Sequence, residues 1–121
     1  MQAPLHNTKT LDIVALGEAM VEFNQTRPGE PHYLQGFGGD TSNATIAAAR
    51  AGANTAYLTR LGNDLFGDQL LQLWATEQVY CAGVERDVLA HTGVYFVTHG
   101  AQGHAFSYLR AGSAASRMTP E

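Results

Sequence analysis

Among its 121 residues the chain has one cysteine, one tryptophan and four prolines. The lone cysteine, Cys81, excludes an internal disulfide and suits a reducing, cytoplasmic setting. Its neighbours, Val79-Tyr80-Cys81-Ala82-Gly83, place it beside a helix end, where it reads as a small apolar side chain rather than a reactive thiol. Lysine also occurs once, as Lys9, beside six arginines, and the net charge is −4. Without a basic cluster there is no electrostatic footprint for nucleic acid, and the scattered acids make no acidic tail. No apolar run approaches the roughly 20 residues of a membrane helix, so neither nucleic acid nor membrane is an expected partner. Residues 1–10 lack the apolar stretch of a signal peptide and read as a short disordered leader. The five histidines, at positions 6, 32, 91, 99 and 104, show no metal-ligand spacing and read as surface or loop residues. No metal site is expected.

What the chain has is alanine and glycine: 18 and 13 residues, about a quarter of the whole. With 45% apolar and 15% charged residues this is a globular composition. Leu11–Gly17 is a β-branched apolar run that reads as a buried strand. Met20–Phe23 alternates like a half-exposed strand, and the turn chemistry of Arg27–Pro31 connects it to another over His32–Phe37. The glycine-rich loop Gly36–Asp40 opens an alanine-rich helix over Thr41–Ala51, with Gly52 as its terminating residue. Asp40, Thr41 and Ser42 are all competent N-caps. So little bulk on this helix suggests close internal packing on a sheet. Thr55–Leu61 is strand-like, Gly62-Asn63-Asp64 is a turn, and a helix is expected from about Leu65 to Gln78. Leu70 with Trp74, and Leu71 with Ala75, give that helix an apolar stripe.

A short strand near Val84 and a turn at Glu85-Arg86-Asp87 follow. Gly93–Thr98 and His104–Arg110 then form a hairpin. Thr119-Pro120-Glu121 has the chemistry of a helix start. Strands alternating with helices predict an α/β fold with a mostly parallel, Rossmann-like sheet.

Three places have chemistry. Glycines before a helix N-terminus leave backbone N–H groups free to meet oxygen, and Asp40 and Asn43 add a carboxylate and an amide suited to hydroxyls. Neither a G-x-G-x-x-G motif after the first strand nor a Walker A loop is present, which argues against a nucleotide here. In the hairpin, alternation puts Phe106, Tyr108 and Arg110 on one side. Arg110 can take a carboxylate or phosphate, and Tyr108 offers a ring and a hydroxyl. A four-residue loop pairs Tyr95 with Tyr108, whereas a five-residue loop pairs it with Ser107 and turns it away. Glu18 and Glu22 lie beyond the first strand, where α/β proteins bind ligands, but are assigned surface roles. Arg60–Gly67 is assigned structure.

Ala15-Leu16-Gly17-Glu18, then Gly38-Gly39-Asp40-Thr41-Ser42-Asn43, then Arg60-Leu61-Gly62-Asn63-Asp64-Leu65-Phe66-Gly67 resemble the ribokinase-like (PfkB) carbohydrate kinases in order and spacing. Phe37–Thr41 and Phe106–Ala114 look most like the 2-keto-3-deoxygluconate kinases among them. The resemblance covers nearly the whole chain from Leu11 onward. It implies transfer of the ATP γ-phosphate to a sugar hydroxyl with Mg²⁺, in a large α/β domain with a small β-sheet lid. The lid maps to segments of about 20–37 and 93–110. Gly39 would bind sugar hydroxyls with Asp40 and Asn43 nearby, and Tyr95, Tyr108 and Arg110 would contact a sugar acid. An arginine there suits a substrate carboxylate, which plain ribose or fructose lacks. Lid strands often pair across a dimer in the family, which makes a homo-oligomer an expectation.

The family's second signature, Asp-Thr-x-Gly-Ala-Gly-Asp, is absent from this sequence, and with it the catalytic Asp and the adenine region. The expectation is an N-terminal part of a kinase, without a catalytic residue, ATP site or metal site of its own. A fructokinase-type or ribokinase-type substrate, or a non-catalytic sugar-acid-binding or dimerisation module, are the alternatives.

Overall fold

The computed structural model describes residues 10–120. The proposed leader lies outside them except for Thr10, as does Glu121 of the expected helix start.

Strand β1, Ile13–Leu16, pairs in parallel with β4, Thr55–Leu58, and a single parallel bridge from Ala56 to Tyr80 continues the ladder. Between β1 and β4 the chain forms β2, Met20–Gln25, antiparallel β3, Tyr33–Gly38, and helix α1, Asp40–Arg50. After β4 come β5, Arg60–Gly62, helix α2, Leu65–Thr76, and β6, Glu85–Asp87, which pairs in parallel with β5. The hairpin of β7, Val94–Gly100, and β8, Gly103–Leu109, is followed by a 3₁₀ turn at Ala115–Arg117. β7 lies parallel to β2, giving a four-stranded sheet in the order β3-β2-β7-β8. This is the expected α/β class: two-stranded parallel pairs with helices, and a separate four-stranded mixed sheet.

The core forms where α1 and α2 meet these strands. Val21, Tyr57, Leu61, Leu70 and Trp74 are fully buried in it, and Phe23, Phe37 and Val94 pack against it from one face of the four-stranded sheet. Leu70 and Trp74 therefore carry the stripe of α2, while Leu71 is half-buried and Ala75 exposed. Trp74 donates its indole N–H to Ser42 Oγ at 2.9 Å and lies 4.9 Å from the Tyr57 ring, joining α1, α2 and β4.

Several expectations change. α1 takes no side-chain cap from Asp40, Thr41 or Ser42; Gly39 is its N-cap, at φ 111°. α1 buries only Ser42, Thr45 and Ile46, so most of its alanines lie on a half-exposed flank rather than inside. β1 is less buried than its apolar run suggests: it has one neighbouring strand, and Val14 and Leu16 are 52% and 63% exposed. The Thr55–Leu61 run divides at Thr59, because β4 and β5 serve different partner strands.

Glu85-Arg86-Asp87 is a strand rather than a turn. Two of its charges find fixed partners: Arg86 donates to the Gly62 and Asp64 carbonyls and to Asp68, while Asp87 accepts the Leu89 and Ala90 N–H groups and pairs with Arg60 and Arg117. The short strand expected near Val84 thus begins one residue later, at Glu85. The end of α2 comes two residues earlier than expected, at Thr76, and Gln78 takes a positive φ of 64°.

Candidate functional site

The unpacked face of the four-stranded sheet and the start of α1 border an open cleft of about 410 Å³. Gly39, Asp40 and Thr41 line it from the α1 side, and Tyr95, Tyr108 and Arg110 from the hairpin side. A larger cleft, about 1230 Å³, lies around Ala49, Asn54, Gln78 and Cys81, but no carboxylate, arginine or histidine lines it. The smaller one is where the chemistry is.

Register places Tyr95. Gly100 pairs with Gly103, so Tyr95 faces Tyr108, as the shorter loop alternative requires. The two rings lie 5.5 Å apart, and Phe106 stacks beside Tyr108. Tyr95 is buried and donates its hydroxyl to Glu22 Oε1 at 2.6 Å. Burial, and then that hydrogen bond, push its ionisation well above the ordinary tyrosine range, so Tyr95 is a neutral donor. Its ring occupies the space beside Gly38, where a Cβ would collide with it.

Gly39 brings the helix start close to the first strand's loop: a Cβ there would sit 2.5 Å from the Glu18 carbonyl oxygen. With no side-chain cap, the first-turn N–H groups of α1 face an opening lined by Gly39, Asp40 and Thr41. Thr41 is fixed by a 2.7 Å hydroxyl contact to Tyr57, and Asp40 is exposed. Asn43 does not join the others. It is exposed one turn further along α1 and is not part of the cleft lining.

Arg110 follows β8 directly, with its guanidinium 5.5 Å from the Tyr108 ring centre, close enough for cation–π attraction. It donates from Nε at 3.0 Å to Glu18 Oε1, and the same oxygen lies 2.8 Å from Nη2 as an ion pair. Glu18 Oε2 accepts the Ser113 hydroxyl at 2.7 Å. Glu18 and Glu22 are therefore not surface residues: Glu18 is 13% exposed at its side chain and lines the cleft, and Glu22 reaches the site through Tyr95. Their position just past the first parallel strand was the available signal. Ser113 had none, because its role depends on how the tail folds back.

Elsewhere the histidines behave as expected. His32, His91 and His104 are exposed, half-buried His99 contacts Asn24, and His6 lies outside the described residues. Cys81 is an inert thiol, pushed up to about 11 by burial. Among the described residues no three His, Cys, Asp or Glu side chains gather as a metal site requires, and no helix is long and apolar enough to cross a membrane.

The profile of "pfkB family carbohydrate kinase" matches residues 10–121. The chain belongs to the pfkB family of carbohydrate kinases. It is 35% identical over 118 residues to the 2-dehydro-3-deoxygluconokinase of Thermoproteus tenax, covering 92% of this chain and 36% of that protein. It is also 35% identical over 115 residues to a fructokinase of Solanum tuberosum, covering 90% of this chain and 36% of that one. Among solved structures, the fructokinase from Xylella fastidiosa with bound ATP matches with a TM-score of 0.80 at 31% identity, over 88% of this chain and 35% of that one. The chain thus spans little more than a third of the length of these relatives.

Proposed function

We propose that residues 11–121 supply the acceptor side of an ATP-dependent carbohydrate kinase, and that the acceptor is the sugar acid 2-keto-3-deoxygluconate. The observation that supports the acid is Arg110, set at the cleft beside Tyr95 and Tyr108 and opposite Gly39. Glu18 takes one edge of its guanidinium and leaves further N–H donors for a second carboxylate. Gly39 and the free N–H groups behind it receive sugar hydroxyls, Asp40 accepts from one, and the Tyr95 and Tyr108 hydroxyls orient the rest. Asn43 lies outside this set. The four-stranded sheet acts as the lid, and its β3 and β8 edges are where two copies would pair.

Phosphoryl transfer is mostly positioning and stabilisation of the moving charge. This chain positions the acceptor. ATP is the donor by family membership, as in the ATP-bound Xylella structure. Mg²⁺ would come with the ATP phosphates, held there largely by phosphate and water oxygens. With the second glycine signature absent from its sequence, the chain alone should release no ADP from ATP.

A neutral ketose is the second reading. It is favoured by the equal identity to a fructokinase and by the carboxylate of Glu18 already on Arg110. Calorimetric titration of the chain with 2-keto-3-deoxygluconate and with D-fructose separates the two. The acid should bind more tightly, and Arg110→Ala should remove that preference. Equal affinities, unchanged by Arg110→Ala, would favour the ketose.

A further inference from the structure

The contacts around Glu18 fix a geometry that Arg110 would not hold unaided. Arg110 is 47% exposed at its side chain and follows the end of a strand exposed along its whole length. A long side chain there samples many rotamers. Glu18, by contrast, is held on both oxygens, by Arg110 on Oε1 and Ser113 on Oε2. Its carboxylate also occupies space that only glycine at position 93 leaves: a Cβ there would lie 2.6 Å from Oε2. Ser113 is fully buried, and the tail around it is anchored by the Ala114 N–H to the His91 carbonyl at 2.7 Å. The carboxylate is thus a fixed post between the β1–β2 connection, the approach to β7 and the tail.

The edge it takes matters. Glu18 Oε1 accepts the Nε hydrogen bond and lies 2.8 Å from Nη2, which sets it on the side-on edge of the guanidinium. The end-on edge, where Nη1 and the second Nη2 hydrogen point, is left for a ligand. We infer that Glu18 is a positioning residue for substrate recognition: it locks Arg110 in the rotamer that offers its end-on edge to the ligand's carboxylate. This rests on the reading of Arg110 as the partner of a sugar acid.

Two opposing effects follow from removing Glu18, and a pair of variants separates them. Glu18→Gln removes the negative charge beside the ligand but keeps an oxygen acceptor for Arg110. Glu18→Ala removes charge and tether together. The difference between them reads the tether alone. Freeing one long side chain should weaken acid binding by about 3- to 10-fold in Glu18→Ala relative to Glu18→Gln. Affinity for D-fructose, which has no carboxylate, should be the same in both.

Calorimetry with 2-keto-3-deoxygluconate and D-fructose supplies these ratios. Arginine Nε–H resonances supply a reading without ligand. The Arg110 signal, identified by its loss in Arg110→Lys, should be protected from water exchange in the native chain and in Glu18→Gln, and unprotected in Glu18→Ala. If Glu18→Ala fails to fold, Glu18→Asp, which withdraws the carboxylate by one methylene, replaces it with the same expectation. Equal acid affinity in the two variants, or equal losses for acid and fructose, would overturn the inference. If Arg110→Ala leaves acid binding unchanged, or the chain binds no acid, the sugar-acid reading fails instead. The exchange measurement then decides whether Glu18 holds Arg110.

Discussion

Tyr95 is where one residue affects both fold and site. Its hydroxyl meets Glu22 Oε1 at 2.6 Å while its ring fills the space beside Gly38. Because burial and the Glu22 bond raise its ionisation above that of an unfolded tyrosine, about 10, the stabilisation is present below that value and is lost as pH rises through the higher folded one. Tyr95→Phe should cost on the order of 1.5 kcal/mol at neutral pH. It should also flatten the alkaline loss of stability, as denaturant titrations across pH would record. Gly38→Ala tests the same contact from the other side. The added methyl has no room unless the Tyr95 ring moves, so a loss of about 1–3 kcal/mol is expected. Unchanged stability in Gly38→Ala would mean that the sheet shifts freely.

At the scale of elements, the joints are polar groups buried between helices and strands. Trp74 and Ser42 meet across α2 and α1 with both residues out of water. Ser42→Ala would leave the indole N–H without its acceptor and cost about 1–3 kcal/mol by denaturant titration. Asp64 caps α2 by accepting the Gly67 N–H at 2.8 Å and ties it to the loop before β7 through both polar groups of Thr92. Burial alone would raise its pKa, but these hydrogen bonds and Arg86 outweigh it and lower the value. Its contribution is therefore present above the ordinary carboxylate range, near 4, and is lost as pH falls through the depressed value. Asp64→Ala should cost about 1–2 kcal/mol at pH 7, and the gap to the native chain should close in acid.

Such joints also mark what the sequence could convey. α1 and α2, the β2–β3 pair and the hairpin were legible because local chemistry specifies them: alanine propensity, glycine stops and alternation. Gly39, Asp40, Tyr108 and Arg110 were legible as cleft residues because they sit at a helix start or on one strand face, whereas the side taken by Tyr95 depended on a hairpin register that loop residues alone left open. The strand at Glu85–Asp87 was not, since its three charged residues resemble a turn until Gly62 and Asp68 meet Arg86, and Arg60 and Arg117 meet Asp87, from elsewhere in the chain. Glu18 was misassigned for the same reason: its partners lie 92 and 95 residues away.

At the scale of the whole molecule, the β1 edge is an exposed apolar surface. β1 has β4 on one side and no strand on the other among the described residues, and Ile13, Val14 and Leu16 are all exposed. Unpaired backbone groups beside apolar side chains are what another strand recognises. The 121-residue chain by itself should therefore self-associate, with the mass by sedimentation velocity rising between about 5 and 200 μM, the range in which weak apolar contacts take effect. A lysine on this edge should oppose that without touching the core. Val14→Lys puts charge on a position already 52% exposed, so the variant should lose the β1 contact and associate more weakly over the same range with unchanged stability. If Val14→Lys associates as strongly as the native chain, the contact lies instead on the exposed β8 edge of the four-stranded sheet, and a lysine at Leu109, 57% exposed, should then abolish it.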